Sequence, residues 1–289
     1  MEPDYRAGQG RVQPENVTLV CIDGAAWRLG AGNPSGRLIA ERPPRTLQCR
    51  SMRLIDYFSS AYVVNLPSRT DRRMEMELML TRLGMMPLPE KLAFFPAIRP
   101  ADAGGFPSIG ARGCFLSHLE LLKIALARGA ERVLVMEDDL DIAPNLAAIE
   151  GPIVEQLQQQ PWGLVYLGHY AEGLPPSNTG LVRANNLTMC SHFYGINQPF
   201  LEQLVTYLES ILLRPAGHPD GGPMHYDGAL SMFRERTGIP TLFATPCLGW
   251  QRSSRSDVAP NKWYDKIPGT RWAVSRARRL RNFVRRPSL

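Results

Sequence analysis

VLVMEDDLDIAP, residues 133–144, places three consecutive acids, Glu137, Asp138 and Asp139, directly behind four apolar residues. The apolar run is typical of a buried strand, and like charges at its end repel each other and lose solvation. In an open α/β sheet, ligands bind beyond the carboxyl ends of the strands. The three acids therefore mark a candidate functional site at the end of a central strand.

Strand-like and helix-like segments alternate on both sides of this stretch. The β-branched run at 62–66 is followed by a helical pattern in which Met76, Met79, Leu80 and Leu83 recur at three and four residues. Further predicted strands lie within 93–98, 162–170, 188–196 and 241–246, and further predicted helices run from near Cys114 to Gly129 and within 146–159, 199–213 and 225–236. The alternation predicts an α/β fold with a mainly parallel sheet flanked by helices.

Composition divides the 289 residues into three predicted parts. Residues 1–58 are an extension of unknown role, in which VTLVCIDG is the one strand-like run, and residues 59–262 form the main domain. Residues 263–289 form a basic tail, and its stretch 271–286 has seven arginines and no acid in a chain of net charge +6. The tail suits an anionic partner such as a membrane surface, with a solvated, frayed terminus as the alternative.

Cysteine usage and the amino terminus indicate the compartment. The five cysteines are scattered and contain no CxxC pair, which favours neither a disulfide framework nor a zinc site. The start, MEPDYRAGQG, lacks the pattern of a signal peptide, and no apolar run is long enough to span a membrane. We expect a cytoplasmic protein, peripheral at the inner face of a membrane if its tail binds there, and no nucleic-acid partner.

The acidic cluster itself predicts a metal site. Adjacent carboxylates that lack protein cations are tolerated best where a divalent ion neutralises them, and Mg²⁺ and Mn²⁺ prefer oxygen ligands. Mg²⁺ also lets substrate phosphates complete its coordination shell. The alternative is a helix cap at Asp139 or Asp141 with the other acids solvated.

Three arginines follow the first strand of the main domain, in NLPSRTDRRMEME at residues 65–77. Arg69, Arg72 and Arg73 lie where the helix dipole disfavours cations, and a bound phosphate would reverse that penalty. A diphosphate between these arginines and a metal on the acids is physically coherent. The alternative is local pairing with acids of the same segment: Asp71, Glu75 and Glu77.

GARGCFLSHLE, residues 110–120, opens a predicted helix with glycines that permit close backbone approach. Ser117 and His118 fall in its first two turns, and a packed histidine is the alternative to a catalytic one. Cys114 and His118 stand four apart, as metal ligands can, but no further Cys or His follows at ligand spacing, which disfavours zinc.

Together these motifs resemble glycosyltransferase family 25, which includes bacterial lipopolysaccharide glycosyltransferases and collagen galactosyltransferase domains. The matching stretches are VNLPSRTDRR, GARGCFLSHLE, VLVMEDD, WGLVYLG and WQRSSRSDV, in this order and within about residues 60–260. The resemblance implies a GT-A-like fold and inverting transfer of a hexose, often galactose, from a UDP-sugar. Pro67 and Ser68 lengthen the first loop relative to the family pattern.

The resemblance also implies roles for individual residues. Glu137 and Asp139 would hold Mn²⁺ or Mg²⁺, and the acceptor would be a saccharide or a glycolipid such as lipopolysaccharide. Apart from the resemblance, the position of Asp227 late in the chain and beside His225 makes it the first candidate for the general base, with a helix N-cap as the alternative. His118 is a second candidate catalytic residue, and His169 and His192 are lesser candidates. The donor-binding set is Asn65, Arg69, Arg72, Arg73, Ser117 and Asp138.

Two other classes of function compete with this hypothesis. A metal-dependent phosphoryl or nucleotidyl transferase would also use acids and arginines, but the sequence has neither a P-loop nor a DxDxT start. A non-catalytic nucleotide-sugar-binding protein, anchored through the tail at 271–289, is the other alternative.

Overall fold

The computed structural model describes most of the main domain and two short strands near the amino terminus. The described residues are 52–86, 88, 90–174, 180–186, 188 and 191–252, together with the backbone of 18–22 and 25–29. The chain divides into two compact units, Met1–Ser51 and Met52–Leu289. In the first unit, β1 (Thr18–Ile22) pairs antiparallel with β2 (Ala25–Leu29).

The second unit contains nine strands and six helices among its described residues. Its helices are α1 (Leu54–Tyr57), α2 (Thr70–Arg82), α3 (Ile109–Ala127), α4 (Leu146–Gln159), α5 (Phe200–Leu212) and α6 (Tyr226–Thr237). Its strands are β3 (Ser60–Asn65), β4 (Leu92–Pro96), β5 (Arg132–Glu137), β6 (Leu140–Ile142), β7 (Leu164–Gly168), β8 (Gly180–Arg183), β9 (Phe193–Asn197), β10 (Thr241–Thr245) and β11 (Gly249–Gln251).

Seven of these strands form one mixed sheet in the order β4-β3-β5-β9-β7-β10-β8. The pairs β3 with β4, β3 with β5 and β7 with β10 are parallel, and the other three pairs are antiparallel. The short strands β6 and β11 form a separate antiparallel pair. The parallel group β4-β3-β5 brings three carboxyl ends to one edge of the sheet.

The sheet separates two hydrophobic cores, because successive side chains of a strand point to opposite faces. Along β3, Ala61 and Val63 pack into one core, and Tyr62 and Val64 pack into the other. Helices α1, α2 and α4 cover the first face, and α3, α5 and α6 cover the second. The predicted class, an α/β fold with helices on both faces, is confirmed.

Strand direction differs from the mainly parallel prediction, since half of the pairings in the large sheet are antiparallel. Parallel neighbours need a crossover connection, usually a helix. Strand β9 is antiparallel to both of its neighbours in the sheet, β5 and β7, and the described residues between β7 and β9 contain the strand β8 and no helix. Among the described residues, the strand predicted within 188–196 is present only in its second half, as Phe193–Asn197, and its direction is not encoded in the apolar pattern.

Helix α3 begins at Ile109, ahead of the start predicted near Cys114. Ser108 caps it, with its hydroxyl accepting a hydrogen bond of 3.0 Å from the Ala111 amide. Gly113 lies inside the first turns of α3. A larger residue does not fit there, because a Cβ would stand 2.6 Å from the Ile98 carbonyl oxygen. The glycine-rich stretch therefore belongs to the helix and lets it approach the chain after β4 closely.

Residues ahead of β3 also contribute to the main core. Leu54, Ile55, Tyr57 and Phe58 are buried, and they belong to the core covered by α1, α2 and α4. The three-part division at residues 58 and 262 stays a prediction, and the tail at 263–289 lies outside the described residues. Among the described residues, no helix combines the length and the apolar character needed to cross a membrane.

Candidate active site

A cavity of about 370 Å³ opens at the carboxyl ends of β3, β4 and β5. In the parallel register Val64 lies opposite Glu137, and Asn65 lies opposite Pro96, so the residues that follow these strands meet at one edge. The three acids Glu137, Asp138 and Asp139 line the cavity. Their position agrees with the general rule for ligand sites in open α/β sheets.

Asp138 is a buried and fully bonded carboxylate. Its Oδ2 accepts a hydrogen bond of 2.8 Å from the Asn65 side chain, and its Oδ1 accepts one of 2.7 Å from Arg72. Its amide donates to the Val64 carbonyl oxygen at 3.1 Å. These bonds join the end of β5 to the end of β3 and to α2, so Asp138 fixes the shape of the acidic edge.

Asp139 is equally buried but only partly bonded. Its Oδ2 lies 3.3 Å from Arg72 Nη1 and 3.3 Å from the Gln251 amide nitrogen. Its Oδ1 is buried and has no hydrogen-bond partner among the described residues. Burial, together with the neighbouring charge of Glu137, raises the pKa of Asp139 to about 7, although Arg72 opposes the shift.

The pair of β6 and β11 brings the C-terminal part of the domain to the acids. Gln251 lies opposite Leu140 in this pair, which places its side chain at Asp139. The following Arg252 donates its amide to the Asp139 carbonyl oxygen at 2.6 Å and its guanidinium to the Asp138 carbonyl oxygen at 2.8 Å. The sequence motif WQRSSRSDV pointed to this segment, but Gln251 and Arg252 were not assigned to the site.

Glu137 faces a buried histidine across the cavity wall. Its Oε1 lies 3.7 Å from His118 Nε2. Burial pushes the pKa of Glu137 upward, but the interaction with His118, supported by His192 and Arg72, outweighs it and leaves the pKa lowered. The contact between Glu137 and His118 was not predicted, because it joins residues from two separate elements.

His118 is held by two tyrosines. Its ring stacks on Tyr226 with a centroid distance of 4.1 Å, and its Nδ1 lies 3.1 Å from the hydroxyl of Tyr194. The two tyrosine hydroxyls lie 2.8 Å apart. His118 is thus packed, as the alternative interpretation expected, and it also lines the cavity.

Ser117 lines the cavity, and its hydroxyl already has partners in the fold. It donates to the Gly113 carbonyl oxygen at 2.6 Å and accepts from the Ile98 amide at 2.8 Å. Ser117 therefore ties α3 to the chain after β4. A donor contact at Ser117 stays a prediction.

The three arginines of the first loop separate in the structure. Arg72 is buried and lines the cavity, where it pairs with Asp138 and Asp139. Arg69 pairs with Asp71 at 2.9 Å and holds the pKa of that carboxyl at about 2. Arg69 does not belong to the cavity lining.

Arg73 likewise pairs locally. It contacts Glu77 at 2.9 Å and lies over the ring of Phe94, outside the cavity lining. Local pairing, the alternative weighed from the sequence, describes Arg69 and Arg73 but not Arg72. The predicted diphosphate contacts of Arg69 and Arg73 stay predictions.

Asp227 lies on the opposite wall of the cavity, in the first turn of α6. His225 occupies the cap position of that helix, so Asp227 is not the cap that the alternative interpretation expected. Its Oδ1 accepts a hydrogen bond of 2.8 Å from the Gly228 amide. His169 and His192, the lesser base candidates, do not line the cavity.

Comparison with known proteins gives relatives by sequence over part of the chain. No protein-family model matches it. It is 28% identical over 148 residues to a protein named probable inactive glycosyltransferase 25 family member 3 from Bos taurus, with 41% of this chain and 24% of the relative covered. A glycosyltransferase 25 family member from Aedes aegypti is 28% identical over 132 residues, with 38% of this chain and 21% of the relative covered.

These relatives confirm the resemblance to glycosyltransferase family 25. The matched part spans about a quarter of the length of the curated relatives. The names of several relatives, including the human one, describe them as inactive. The resemblance therefore concerns the matched part of the sequence, and catalysis is a separate question.

Solved structures with a similar fold include a glycosyltransferase involved in glycosylation of the major capsid of PBCV-1. It has a TM-score of 0.44 and 12% identity, covering 68% of this chain and 93% of that one. Mannose-1-phosphate geranyltransferase from Thermus thermophilus has a TM-score of 0.37 and 13% identity, covering 64% of this chain and 72% of that one. At these scores the likeness carries no conclusion about activity.

Proposed function

We propose that the chain is a glycosyltransferase that binds the diphosphate of a nucleotide sugar in the cavity at the ends of β3, β4 and β5. The observation that carries this proposal is Asp139: a buried carboxylate beside Glu137, with one oxygen that has no partner among the described residues. Such an oxygen is costly to bury unless a ligand satisfies it. A divalent cation that also binds a diphosphate would do so.

The residues at the acidic edge fit Mn²⁺ or Mg²⁺. Both ions take oxygen ligands, and Glu137 and Asp139 offer carboxylates to the same cavity. Asp138 has both oxygens engaged, so it acts as a support for the site and not as a first choice of ligand. Glu137 and Asp139 are the proposed metal-binding residues.

The proposed donor site combines this acidic edge with positive groups. A bound Mg²⁺ or Mn²⁺ would supply Lewis-acid stabilisation of the departing phosphate oxygen. Arg72, which bonds to Asp138 and approaches Asp139, adds a fixed positive charge at the same place. The first turn of α3 lines the cavity with Ile109, Gly110 and Ala111, and the helix dipole favours an anion there.

Asp227 is the proposed general base. A single inverting displacement needs a base that removes the proton of the acceptor hydroxyl on the side opposite to the leaving group. Asp227 enters the cavity from α6, whereas the acids enter from β5 and the turn that follows it. The hydrogen bond from the Gly228 amide orients its carboxylate.

The proposed donor is a UDP-hexose, with UDP-galactose as the first to be tested, and the acceptor is a saccharide or a glycolipid such as lipopolysaccharide. These choices rest on the family resemblance, since no described contact distinguishes one sugar from another. Binding of the basic tail, residues 271–289, to an anionic membrane would bring the site to a glycolipid acceptor. That segment lies outside the described residues.

A second candidate is a protein that binds nucleotide sugars without transferring them. The names of several relatives describe them as inactive, and Arg72 already neutralises part of the acidic cluster. The two candidates share the donor site and differ at the acceptor side. The role of Asp227 in transfer therefore distinguishes the glycosyltransferase from the non-catalytic binding protein.

A transfer assay on Asp227→Asn and Asp139→Asn tests the proposal. The purified chain is incubated with UDP-galactose, Mn²⁺ and a saccharide acceptor, and glycosylated product is measured. We expect Asp227→Asn to lower kcat by about 10²–10⁴-fold and to retain donor binding, because it removes only proton transfer. Asp139→Asn should lose both donor binding and transfer.

Glu155→Gln is the matched control, since Glu155 is an exposed carboxylate on α4 and does not line the cavity. Unchanged transfer activity in Asp227→Asn would show that another residue is the general base. Donor binding without transfer in the natural chain, for every UDP-hexose and acceptor offered, would favour the non-catalytic candidate. Hydrolysis of nucleotides without sugar transfer would favour a phosphoryl transferase.

A further inference from the structure

A second set of possible metal ligands lies on the inner wall of the same cavity. Cys114 and His118 are four residues apart on α3 and therefore share one face of the helix. Glu137 reaches them from the end of β5. One ligand atom of each residue lies within 4.8 Å of the ligand atoms of the other two.

The side chain of His118 points to a cation at this place. Its Nε2 is fully buried and has no hydrogen-bond partner among the described residues. Its Nδ1 lies 3.1 Å from the Tyr194 hydroxyl, and in the tautomer whose Nδ1–H donates to that oxygen the lone pair of Nε2 is available to a metal ion. That lone pair then faces the Glu137 carboxylate at 3.7 Å. Two electron-rich groups in this arrangement need a proton or a metal ion between them.

The spacing suits a small tetrahedral ion. Zinc bonds of about 2.0–2.3 Å place neighbouring ligand atoms roughly 3.5 Å apart, so small side-chain rotations would close the set. The Tyr194 hydroxyl would orient the His118 ring from the side opposite to the ion, the role that a carboxylate, carbonyl or water usually has at metal-bound histidines. The remaining coordination position would face the cavity.

We propose that Cys114, His118 and Glu137 form a Zn²⁺ site with three protein ligands and an open fourth position. The ligand chemistry selects the ion, because thiolate and imidazole favour Zn²⁺ over Mg²⁺ and Mn²⁺. The proposed zinc site and the proposed donor-metal site, which consists of Glu137 and Asp139, have different ligand sets. They have one ligand in common, Glu137. If the proposed function holds, Zn²⁺ occupancy competes with the donor metal for that carboxylate.

Zinc binding to the tag-free full chain tests the proposal. We expect calorimetry against a competing chelator to give one Zn²⁺ per chain. Cys114→Ser and His118→Gln should each weaken binding at least tenfold. Cys247→Ser is the matched control, because Cys247 is a partly buried thiol like Cys114 and does not line the cavity. Its zinc affinity should equal that of the natural chain.

Cobalt gives a readout that only a thiolate ligand produces. Co²⁺ added to the natural chain and to Cys247→Ser should show a thiolate-to-cobalt charge-transfer band in the near ultraviolet. Cys114→Ser should lack that band. Affinity should also rise with pH, because metal binding displaces the proton of the thiol.

Equal zinc affinity in the natural chain and in Cys114→Ser, or no zinc binding at all, would overturn the proposal and assign a proton to the space between His118 and Glu137. If His118→Gln fails to fold, as judged by circular dichroism, the two cysteine variants decide the result. Asp139→Asn separates this proposal from the proposed function. It should keep the zinc affinity and lose the metal-dependent binding of a nucleotide sugar.

Discussion

Two charged clusters look alike in the sequence and differ in the structure: the acids that end β5 and the arginines that begin α2. Asp138 and Asp139 are 6% and 7% exposed, and burial raises the pKa of Asp139 to about 7. Arg69 and Arg73 instead pair on the surface with acids of their own segment. A buried oxygen without a partner among the described residues, as on Asp139, and not charge density, distinguishes a group that can still take a ligand from one that is already satisfied.

Arg72 belongs with the acids although it stands between the other two arginines. It shares the buried face of α2 with Met76 and Leu80, which follow it at intervals of four residues. That face turns its guanidinium toward Asp138 and Asp139. The helical period therefore assigns each arginine to the cavity or to the surface.

The largest expected effect comes from removing Arg72. In Arg72→Leu, Asp138 and Asp139 lose their buried partner, which should lower the free energy of unfolding by about 3–5 kcal/mol. The loss should shrink at pH 5, because Asp139, whose pKa is raised to about 7, is protonated there. Urea unfolding at pH 8 and pH 5 measures both values.

Arg69→Leu is the control for that experiment, because its pair with Asp71 is exposed. We expect a change within about 0.5 kcal/mol. Equal losses in Arg72→Leu and Arg69→Leu would remove the distinction between the buried and the surface cluster.

A smaller effect, of opposite sign, is expected for Asp139→Asn. The pKa of Asp139 is raised from 3.8 to about 7, first by burial and then by Glu137. Between these values the folded state holds more protons than the unfolded state, so Asp139 destabilises the fold as the pH rises through this window. Asp139→Asn should raise the free energy of unfolding at pH 8 by about 1–3 kcal/mol and leave it nearly unchanged at pH 4.

Denaturation of both proteins in a chelating buffer measures this difference without interference from bound metal. The natural chain should lose stability from pH 4 to pH 8 more steeply than Asp139→Asn. A variant that is less stable than the natural chain at pH 8 would show that Asp139 is a structural ion-pair partner like Asp138.

The smallest effect is expected at the surface arginines. Arg69→Gln and Arg73→Gln should change the affinity for a UDP-sugar by less than threefold, because both side chains are held outside the cavity. Calorimetric titration gives the two affinities. A tenfold loss would show that these arginines leave Asp71 and Glu77 to bind the donor, as the sequence analysis predicted.

Local patterns in the sequence indicated several of the residues that line the cavity. The apolar run before Glu137 gave β5, and the rule for carboxyl ends of strands placed Asp138 and Asp139 in the cavity. The motif GARGCFLSHLE indicated Ser117 and His118, which line the same cavity. These features depend on residues close in sequence, whose periodicity the chain displays directly.

Features that depend on distant residues were not predictable in the same way. The direction of β9 follows from how the chain crosses the sheet, and β11 is a three-residue strand too short to show a period. The position of Gln251 beside Asp139 depends on the pairing of β11 with β6. The approach of His118 to Glu137 likewise needs α3 and β5 to be packed in three dimensions.

The most direct test of the central claim is the binding of UDP with and without Mn²⁺ to the natural chain and to Asp139→Asn, measured by calorimetry. A carboxylate that holds the donor metal predicts at least tenfold tighter UDP binding with Mn²⁺ in the natural chain, and no such gain in Asp139→Asn. Equal UDP affinity in Mn²⁺ and in chelator, or an undiminished gain in Asp139→Asn, would contradict the account.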